Sequence, residues 1–162
     1  MNEKYKKFMV PGIIVAVVLL LVMMLAGTYN SLVQDREKVT AAFSNVETQY
    51  QRRADLVDNL VNTVKGSSEF EKSTLTAVTD ARAQVGKTKI DASASQEQVQ
   101  QYVEAQNQMT GALSRLIAVA ENYPDIKSTA AYQDLMSQLE GTENRIQVAR
   151  SDFNNTARPY NA

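Results

Sequence analysis

Residues 8–27 read FMVPGIIVAVVLLLVMMLAG, an apolar run from Phe8 to Gly27 with no charged, amide or hydroxyl side chain. At about 1.5 Å of rise per residue, a helix of this length spans roughly 30 Å, which is the thickness of a bilayer core. Pro11 lies in the first turn of the run, where a missing N–H does little harm, and Leu19 lies near its centre. The run is therefore predicted to be a transmembrane helix.

A cleaved signal peptide is the alternative interpretation of such a run. Signal peptides typically have an apolar stretch of about 7–15 residues and a small-x-small cleavage site. This run is longer, and residues 24–27, Met-Leu-Ala-Gly, do not form a convincing site. The chain has no cysteine, which excludes lipoprotein processing. We therefore favour an uncleaved anchor.

The basic residues around the span predict its orientation. Three lysines precede it, whereas the nearest basic residues beyond it are Arg36 and Lys38. The positive-inside tendency makes residues 1–7 a cytoplasmic tail, residues 8–27 the anchor, and residues 28–162 a domain in the periplasm or cell exterior. The protein is thus expected to be a single-pass protein of the cytoplasmic (inner) membrane.

The charge of the outer part argues against a nucleic-acid partner. Three of the 17 basic and one of the 18 acidic residues precede the span, so the remainder has a net charge of −3. Mixed signs with a slight acidic excess are typical of a solvated surface and not of a surface that binds nucleic acid.

Beyond the span, apolar residues recur every three or four positions, which is the spacing of packed helices. The first stripe consists of Tyr29, Leu32, Val39, Phe43, Val46, Tyr50, Val57, Leu60 and Val64. No proline separates it from the anchor, so the two can form one continuous rod that ends at Gly66.

Two serine capping boxes predict the next helix starts. Ser68, with Glu71 three residues later, opens a second helix that runs to about Val85. Ser95, with Gln98, opens a third. The stripe of the third helix consists of Val99, Tyr102, Gln106, Met109, Leu113, Leu116, Ala120 and Tyr123.

Pro124 ends the third helix, because the residue before a proline is disfavoured in the α region. Ser128 is the predicted cap of the last helix. Its stripe consists of Tyr132, Leu135, Leu139, Thr142, Ile146, Ala149 and Phe153. The predicted fold is all-α: an antiparallel four-helix bundle of long helices attached to one N-terminal transmembrane helix.

Several segments in order resemble the LemA family of bacterial membrane proteins. They are YNSLV at 29–33, RRADLVDNLV at 52–61, ARA at 81–83, YPDIK at 123–127 and LEGTENRI at 139–146. The resemblance covers essentially everything after the anchor. It implies a membrane-anchored antiparallel helical bundle outside the cytoplasm, an unsettled function with suspected links to envelope stress and membrane proteases, and no catalytic residues.

Two departures from the family pattern stand out. Asp58 occupies a position at which many relatives would have proline, so the first helix is expected to be straighter here. Relatives also commonly continue past the position of Ala162 with an apolar tail, which puts any function of that tail in doubt.

Composition removes most catalytic chemistry. Without histidine and cysteine, the commonest general base, the commonest metal ligand and thiol nucleophiles are absent, and no cofactor is expected. A serine–lysine pair is the nucleophilic scheme that composition leaves open, with Lys65 near Ser67 and Ser68. A cationic last helical turn followed by a serine cap explains the same residues and is preferred.

Charged residues on or beside the stripes are the candidate functional residues. Arg36 and Arg53 occupy stripe positions, and Arg82 lies beside a stripe. A buried arginine needs partners, and the available carboxylates are Asp55, Glu143 and Asp152. An internal polar layer that fixes helix register is the preferred interpretation; a binding site for an anionic partner is the alternative.

A second set of polar candidate residues lies in two of the segments that resemble the LemA family, 52–61 and 139–146. It consists of Asn59, Glu143, Asn144 and Arg145. Asparagine is unfavourable inside a helix unless its side chain has a partner. These residues are therefore expected either to brace neighbouring helices or to form a polar docking face.

These features favour a non-enzymatic, membrane-anchored scaffold or adaptor of the cell envelope. Its expected partners are the membrane, envelope proteins and further copies of itself. A sensor or regulatory subunit of an envelope-stress or membrane-protease system is the alternative, since one helix can connect the bundle to the span. An enzyme and a nucleic-acid binder are disfavoured.

Overall fold

The computed structural model describes residues 3–66, 70–88, 90 and 94–160, and within these ranges the only regular secondary structure is helical. It contains five helices: α1 (Glu3–Lys65), α2 (Lys72–Lys87), α3 (Gln96–Ala120), α4 (Pro124–Lys127) and α5 (Ala130–Tyr160). The predicted all-α class is confirmed. The number of helices differs from the prediction, because α4 is an additional single turn between two long helices.

α1 joins the apolar run of residues 8–27 and the first stripe without a break, as the lack of an intervening proline predicts. Pro11 lies within the helix. The N-terminal part of α1 is long and apolar enough to cross a membrane, and none of its most apolar window is buried inside the protein. An apolar helical segment of this length that the rest of the chain leaves uncovered is a candidate membrane span.

Contacts between side chains define how the other helices run against α1. Phe43 meets Phe153 with ring centroids 5.7 Å apart, and Arg53 meets Glu143, so α5 runs antiparallel to α1. Tyr50 meets Tyr102 with centroids 5.7 Å apart. Arg53 also meets Gln106 farther along α3, so α3 runs in the same direction as α1.

The apolar core lies at the end of α1 that is distant from the span. Val57, Leu60 and Val64 of α1 are fully buried, as are Val78 of α2 and Leu116 of α3. Each such side chain contributes on the order of 1.5–3 kcal/mol by leaving water. From residue 11 onward, the first buried apolar residue of α1 is Val46. The segment between the span and Val46 is mostly exposed, and we call it the stalk; near its end Phe43 is half-buried against Phe153 of α5.

Of the two predicted capping boxes, the one at Ser95 is confirmed. The backbone N–H of Gln98 donates to Ser95 Oγ (3.3 Å), and the backbone N–H of Ser95 donates to Gln98 Oε1 (2.8 Å). Ser68 lies outside the described residues. The predicted place of Glu71 inside α2 is wrong, because Glu71 precedes the first helical residue and its ψ of 109° is not helical.

The end of α3 and the start of α5 also differ from the prediction in detail. α3 ends before Pro124, as expected, but Pro124 then begins α4. Ser128 is not the cap of α5, because its N–H donates to the Pro124 carbonyl (2.9 Å) and closes α4. The neighbouring Thr129 accepts from the Tyr132 N–H instead (3.3 Å).

Candidate functional site

A buried arginine connects three helices. Arg53 of α1 is 2% exposed. Its Nη1 donates to Thr110 Oγ1 of α3 (3.0 Å) and to Glu143 Oε1 of α5 (3.1 Å). Its Nη2 donates to the Gln106 carbonyl (3.3 Å) and to Gln106 Oε1. The guanidinium also lies 5.0 Å from the centroid of the Tyr50 ring. We call Arg53, Gln106, Thr110 and Glu143 the arginine cluster.

The arginine cluster satisfies a charge that would otherwise be costly to bury. Four acceptor contacts and one aromatic face replace the water that Arg53 loses. Glu143, its carboxylate partner, is 41% exposed at the side chain, so only one member of the pair is fully desolvated. These contacts form only when Arg53 of α1, residues 106–110 of α3 and Glu143 of α5 lie at the same level along the helix axes. A polar layer that fixes helix register needs this geometry.

Among the predicted site residues, the structure brings Arg53 and Glu143 together and places Arg82 elsewhere. Arg82 Nε of α2 donates to Asp58 Oδ2 of α1 (3.1 Å) in a partly exposed pair. Asp55 accepts from Gln51 on its own helix (2.9 Å) and contacts no arginine at salt-bridge distance among the described residues.

The remaining predicted residues lie on the surface. Arg36 is exposed on the stalk, and Asn59 is exposed on α1. Asn144 and Arg145 are exposed on α5 and line a groove of about 330 Å³ between α5 and α1. The opposite wall of this groove carries Gln49, whose Oε1 is buried and has no partner among the described residues.

A larger cleft of about 510 Å³ opens between α1, α2 and α3, beside the arginine cluster. We call it the tyrosine cleft. The residues that line it include Tyr50, Ala54, Arg82, Val85, Tyr102 and Gln106, together with the charged residues Glu47, Arg52 and Asp55 of α1. The two tyrosine rings meet edge to face at an interplanar angle of 78°.

Burial keeps the hydroxyl of Tyr102 protonated. Desolvation raises the pKa of the Tyr102 phenol above its ordinary value of 10.0, and nearby Tyr50 and Glu47 add to the increase. A hydrogen bond with the Gln106 side chain and the positive charge of Arg53 lower the pKa and offset part of the increase. The phenol of Tyr102 therefore stays neutral to a higher pH than that of an exposed tyrosine.

Sequence reasoning did not identify Gln106, Thr110 or the tyrosine cleft as parts of a candidate site. A signal for Gln106 was present, because a glutamine stands at a stripe position of α3 where the neighbouring stripe positions are apolar. A polar side chain on a buried face indicates a polar partner on a facing helix. The pairing of Gln106 with Arg53 depends on how α1 and α3 are aligned, which the spacing along one helix does not define.

The described residues contain no group of three or more carboxylates placed to hold a metal ion. The serines of the Lys65 pair, Ser67 and Ser68, lie outside the described residues.

Comparison with known proteins gives consistent matches. Residues 42–162 match the model of the LemA family. The chain is 32% identical to Magnetosome protein MamQ 2 of Paramagnetospirillum magneticum and 30% identical to Magnetosome protein MamQ of Magnetospirillum gryphiswaldense; each match covers 82% of this chain and 56% of the relative. It is 23% identical to Protein LemA of Metamycoplasma hominis, over 84% of this chain and 59% of that protein. The chain thus spans little more than half the length of these relatives.

Proposed function

The chain belongs to the LemA family, and from this premise we propose that it is a non-enzymatic, membrane-anchored scaffold or adaptor of the bacterial cell envelope. In this proposal α1, α2, α3 and α5 form an antiparallel four-helix bundle that presents rigid helical faces to envelope proteins or to further copies of the chain. The names of the relatives describe no reaction, and two of them name a cellular structure, the magnetosome.

The observation that carries the proposal is the continuity of α1. One helix of 63 residues extends from the apolar span into the core. At about 1.5 Å per residue, the stalk between Gly27 and Val46 holds the core roughly 28 Å from the end of the span. A helix that is embedded at one end and packed at the other places its bundle at a fixed distance from the bilayer, which suits a protein that positions partners.

The arginine cluster supports the same function. A buried charge with several matched acceptors favours one alignment of helices over slipped alternatives, at no gain in overall stability relative to an apolar core. A scaffold depends on a single defined surface. We propose that the cluster defines the surfaces that α1 and α5 present together, including the groove that Asn144 and Arg145 line.

The proposed location is the cytoplasmic membrane, with the bundle in the periplasm or cell exterior. The lysines that precede the span support this orientation through the positive-inside tendency. A cysteine introduced at Gln34 of the stalk tests it, because the natural chain has no cysteine to confuse the result. In whole cells we expect Gln34→Cys to react with a membrane-impermeant maleimide; protection until the membrane is opened would contradict the orientation.

Site-specific photo-cross-linking in intact membranes tests the scaffold. A photoreactive residue at Asn144 faces the groove between α5 and α1, whereas one at Gln147 faces a different groove, between α5 and α3. We expect a discrete cross-linked product, or a ladder of copies of this chain, from position 144 and a different or absent product from position 147. Identical diffuse products at both positions would argue against a defined docking face.

A separate outcome also contradicts the proposal: a reproducible catalytic activity of the purified protein that one substitution abolishes would show that the protein is an enzyme.

A sensor is the second candidate, and the same continuity of α1 favours it. A change at the bundle can reach the span only if α1 shifts or turns relative to its partners. Cysteines introduced at Phe43 and Phe153, whose rings touch across α1 and α5, report such movement. We expect the same disulfide yield with and without envelope stress for a rigid scaffold, and a changed yield for a sensor.

A further inference from the structure

An open groove of about 670 Å³ lies between α3 and α5. α5 packs closely along α1, and α3 packs closely along α2, whereas α3 and α5 have few close approaches to each other. Among the described residues, the hydrogen bonds that connect α3 to α5 pass through Arg53, which donates to Thr110 of α3 and to Glu143 of α5. We call this space the α3–α5 groove. The residues that line it include Leu113 and Ile117 of α3 and Met136, Leu139, Glu140 and Glu143 of α5.

The α3–α5 groove leaves apolar surface open to solvent. Its two leucines are almost fully buried, but Ile117 and Met136 are only half-buried. The same face of α3 continues beyond the groove, because positions 99, 103, 110 and 117 lie on one side of a helix. Val99 is 40% exposed and Val103 is 47% exposed. This side of α3 therefore carries a row of apolar side chains that the other described helices cover only in part.

The charged residues that line the groove are all acidic. Glu140 is exposed and forms no ion pair with any residue that the structure describes. Glu143 is paired with Arg53, but its side chain is 41% exposed. No lysine or arginine is among the described lining residues. An apolar strip beside carboxylates is complementary to a surface on which basic residues flank apolar ones.

The shape of the groove fits a helix better than an extended peptide. Its α5 side runs from Met136 to Gln147, which is roughly 16 Å or three helical turns. An extended peptide needs partners for its backbone N–H and C=O groups, and walls built from the side chains of two helices offer no sheet edge. A helix satisfies its own backbone groups and presents side chains alone.

The distance of the groove from the bilayer also limits what can occupy it. Glu143 lies level with Arg53, and the part of α1 from Gly27 to Arg53 extends roughly 39 Å, beyond the reach of lipid chains. A second copy anchored in the same membrane would lie at the same height. A two-fold symmetric pair would then place Glu140 of each copy beside Glu140 of the other, which is unfavourable. Both considerations favour a different protein as the occupant.

We propose that the α3–α5 groove binds a basic amphipathic helix of another protein. Apolar residues three and four positions apart on that helix lie against Ile117 and Met136, and a neighbouring lysine or arginine pairs with Glu140. Arg53 sets the width of the groove by connecting its two walls. This proposal rests on the scaffold function and names the chemistry of one class of partner. If the groove binds no helix, the face at Asn144 remains the docking site of the scaffold, so the two proposals fail separately.

Fluorescence of the full chain in nanodiscs of phosphatidylcholine tests the proposal. The chain contains no tryptophan and no cysteine, so a tryptophan in a peptide and a bimane on an introduced cysteine each give a signal of known origin. The probes are peptides of about 14 residues, each with four apolar residues on one helical face, flanking lysines and one terminal tryptophan. Acidic twins with glutamate in place of lysine, scrambled peptides of the same composition and empty nanodiscs are the controls.

We expect at least one basic peptide to bind saturably, and its acidic twin and scrambled form to bind much more weakly. Bimane attached to Gln147→Cys lies in the α3–α5 groove and should be quenched by the tryptophan of the bound peptide. Bimane attached to Asn144→Cys lies in the groove between α5 and α1 and should not be quenched.

Two pairs of variants separate the groove from the general surface. Ile117→Ala removes apolar contact surface and should weaken binding by about fivefold or more, whereas Val148→Ala truncates an exposed valine outside the groove and should not. Glu140→Gln should weaken binding by about two- to fivefold, the effect of one exposed ion pair, whereas Glu37→Gln makes the same change on the stalk without effect. Glu140→Lys should shift the preference toward the acidic twin. Urea unfolding compares the fold of each variant with that of the natural chain.

Binding of a basic peptide that both groove variants weaken and both control variants leave unchanged would support the proposal. Equal binding by the acidic twin, unchanged affinity in Glu140→Gln and Ile117→Ala, or quenching at position 144 instead of position 147 would overturn it. So would the absence of saturable binding by every basic peptide. A dimer of the chain alone that Ile117→Ala dissociates would also overturn it, because the occupant would then be a second copy.

Discussion

The two halves of α1 carry similar apolar residues in opposite surroundings. Leu20, in the half nearer the N-terminus, is 68% exposed, whereas Leu60, in the other half, is 0% exposed. Arginines show the same contrast, because Arg36 is exposed on the stalk and Arg53 is buried among acceptors of α3 and α5. Within one continuous helix, burial is therefore decided by which other helices lie alongside and not by the residue type.

The largest expected effect comes from the same substitution made in each half. Leu60→Ala removes a fully buried side chain and leaves a cavity, so it should lower the free energy of unfolding by about 2–5 kcal/mol. Leu20→Ala lies outside the bundle and should change it by less than about 0.5 kcal/mol. Urea unfolding of the full chain in detergent micelles, followed by circular dichroism, measures both. Equal losses would mean that the bundle and the span unfold as one unit.

The two arginines provide the next comparison. Arg53→Ala leaves Gln106 Oε1 and Glu143 without the hydrogen bonds that Arg53 donates. The free energy of unfolding should therefore fall by about 3 kcal/mol. The loss is expected to stay near the lower limit for buried pairs because Glu143 regains water easily. Arg36→Ala, on the exposed stalk, should change stability by less than about 0.5 kcal/mol. A small loss for Arg53→Ala in the same urea assay would show that the cluster sets register without stabilising the fold.

The free energy of unfolding should depend on alkaline pH because Tyr102, which packs against the buried half of α1, is a buried tyrosine. The pKa of Tyr102 is raised in the folded state, so the unfolded chain releases this proton first, from about pH 10. The stability that neutral Tyr102 contributes is fully present below pH 10 and declines above it, by at most about 1.4 kcal/mol per pH unit. Tyr102→Phe should therefore lose less stability than the natural chain between pH 9 and pH 11. Parallel losses in the two proteins would place Tyr102 in water.

The smallest effect is expected in the exposed stalk. Asp35 accepts from Lys38 one turn away (2.8 Å), and both side chains are exposed. An exposed pair of this spacing contributes about 0.2–0.5 kcal/mol, so Asp35→Asn should be almost neutral in urea unfolding. Raising the salt concentration should remove even this difference. A loss above about 1 kcal/mol would show that the stalk is also covered at Asp35, farther from the core than the Phe43 contact with α5.

Much of the fold could be predicted because its signals are local. The apolar run at 8–27 and the lack of a proline after it predict a continuous α1, and the Ser95 box predicts the start of α3. The errors are also local in origin. Ser68 and Ser128 have the sequence of caps, but α2 begins after Glu71, which the prediction had placed inside the helix, and α5 begins after Thr129.

The site was less predictable because its members come from different helices. Arg53 was recognisable as an arginine on an apolar stripe that needed a partner. Three carboxylates were available in sequence, and only the packing of α5 against α1 selects Glu143 among them. The role of Gln106 could be recognised only when α3 was seen to place its amide oxygen against Arg53.

The sequence by itself determined what each segment requires: an apolar environment for residues 8–27, a partner for each amphipathic stripe, and acceptors for a buried arginine. These follow from residue chemistry and helical periodicity, which act within a few residues. The tertiary structure alone decided which requirement is met by which residue, because hydrogen bonds and contacts act over only a few ångströms and depend on how helices distant in sequence align. For that reason Arg36 remains in water while Arg53, on the same helix, lies between α3 and α5.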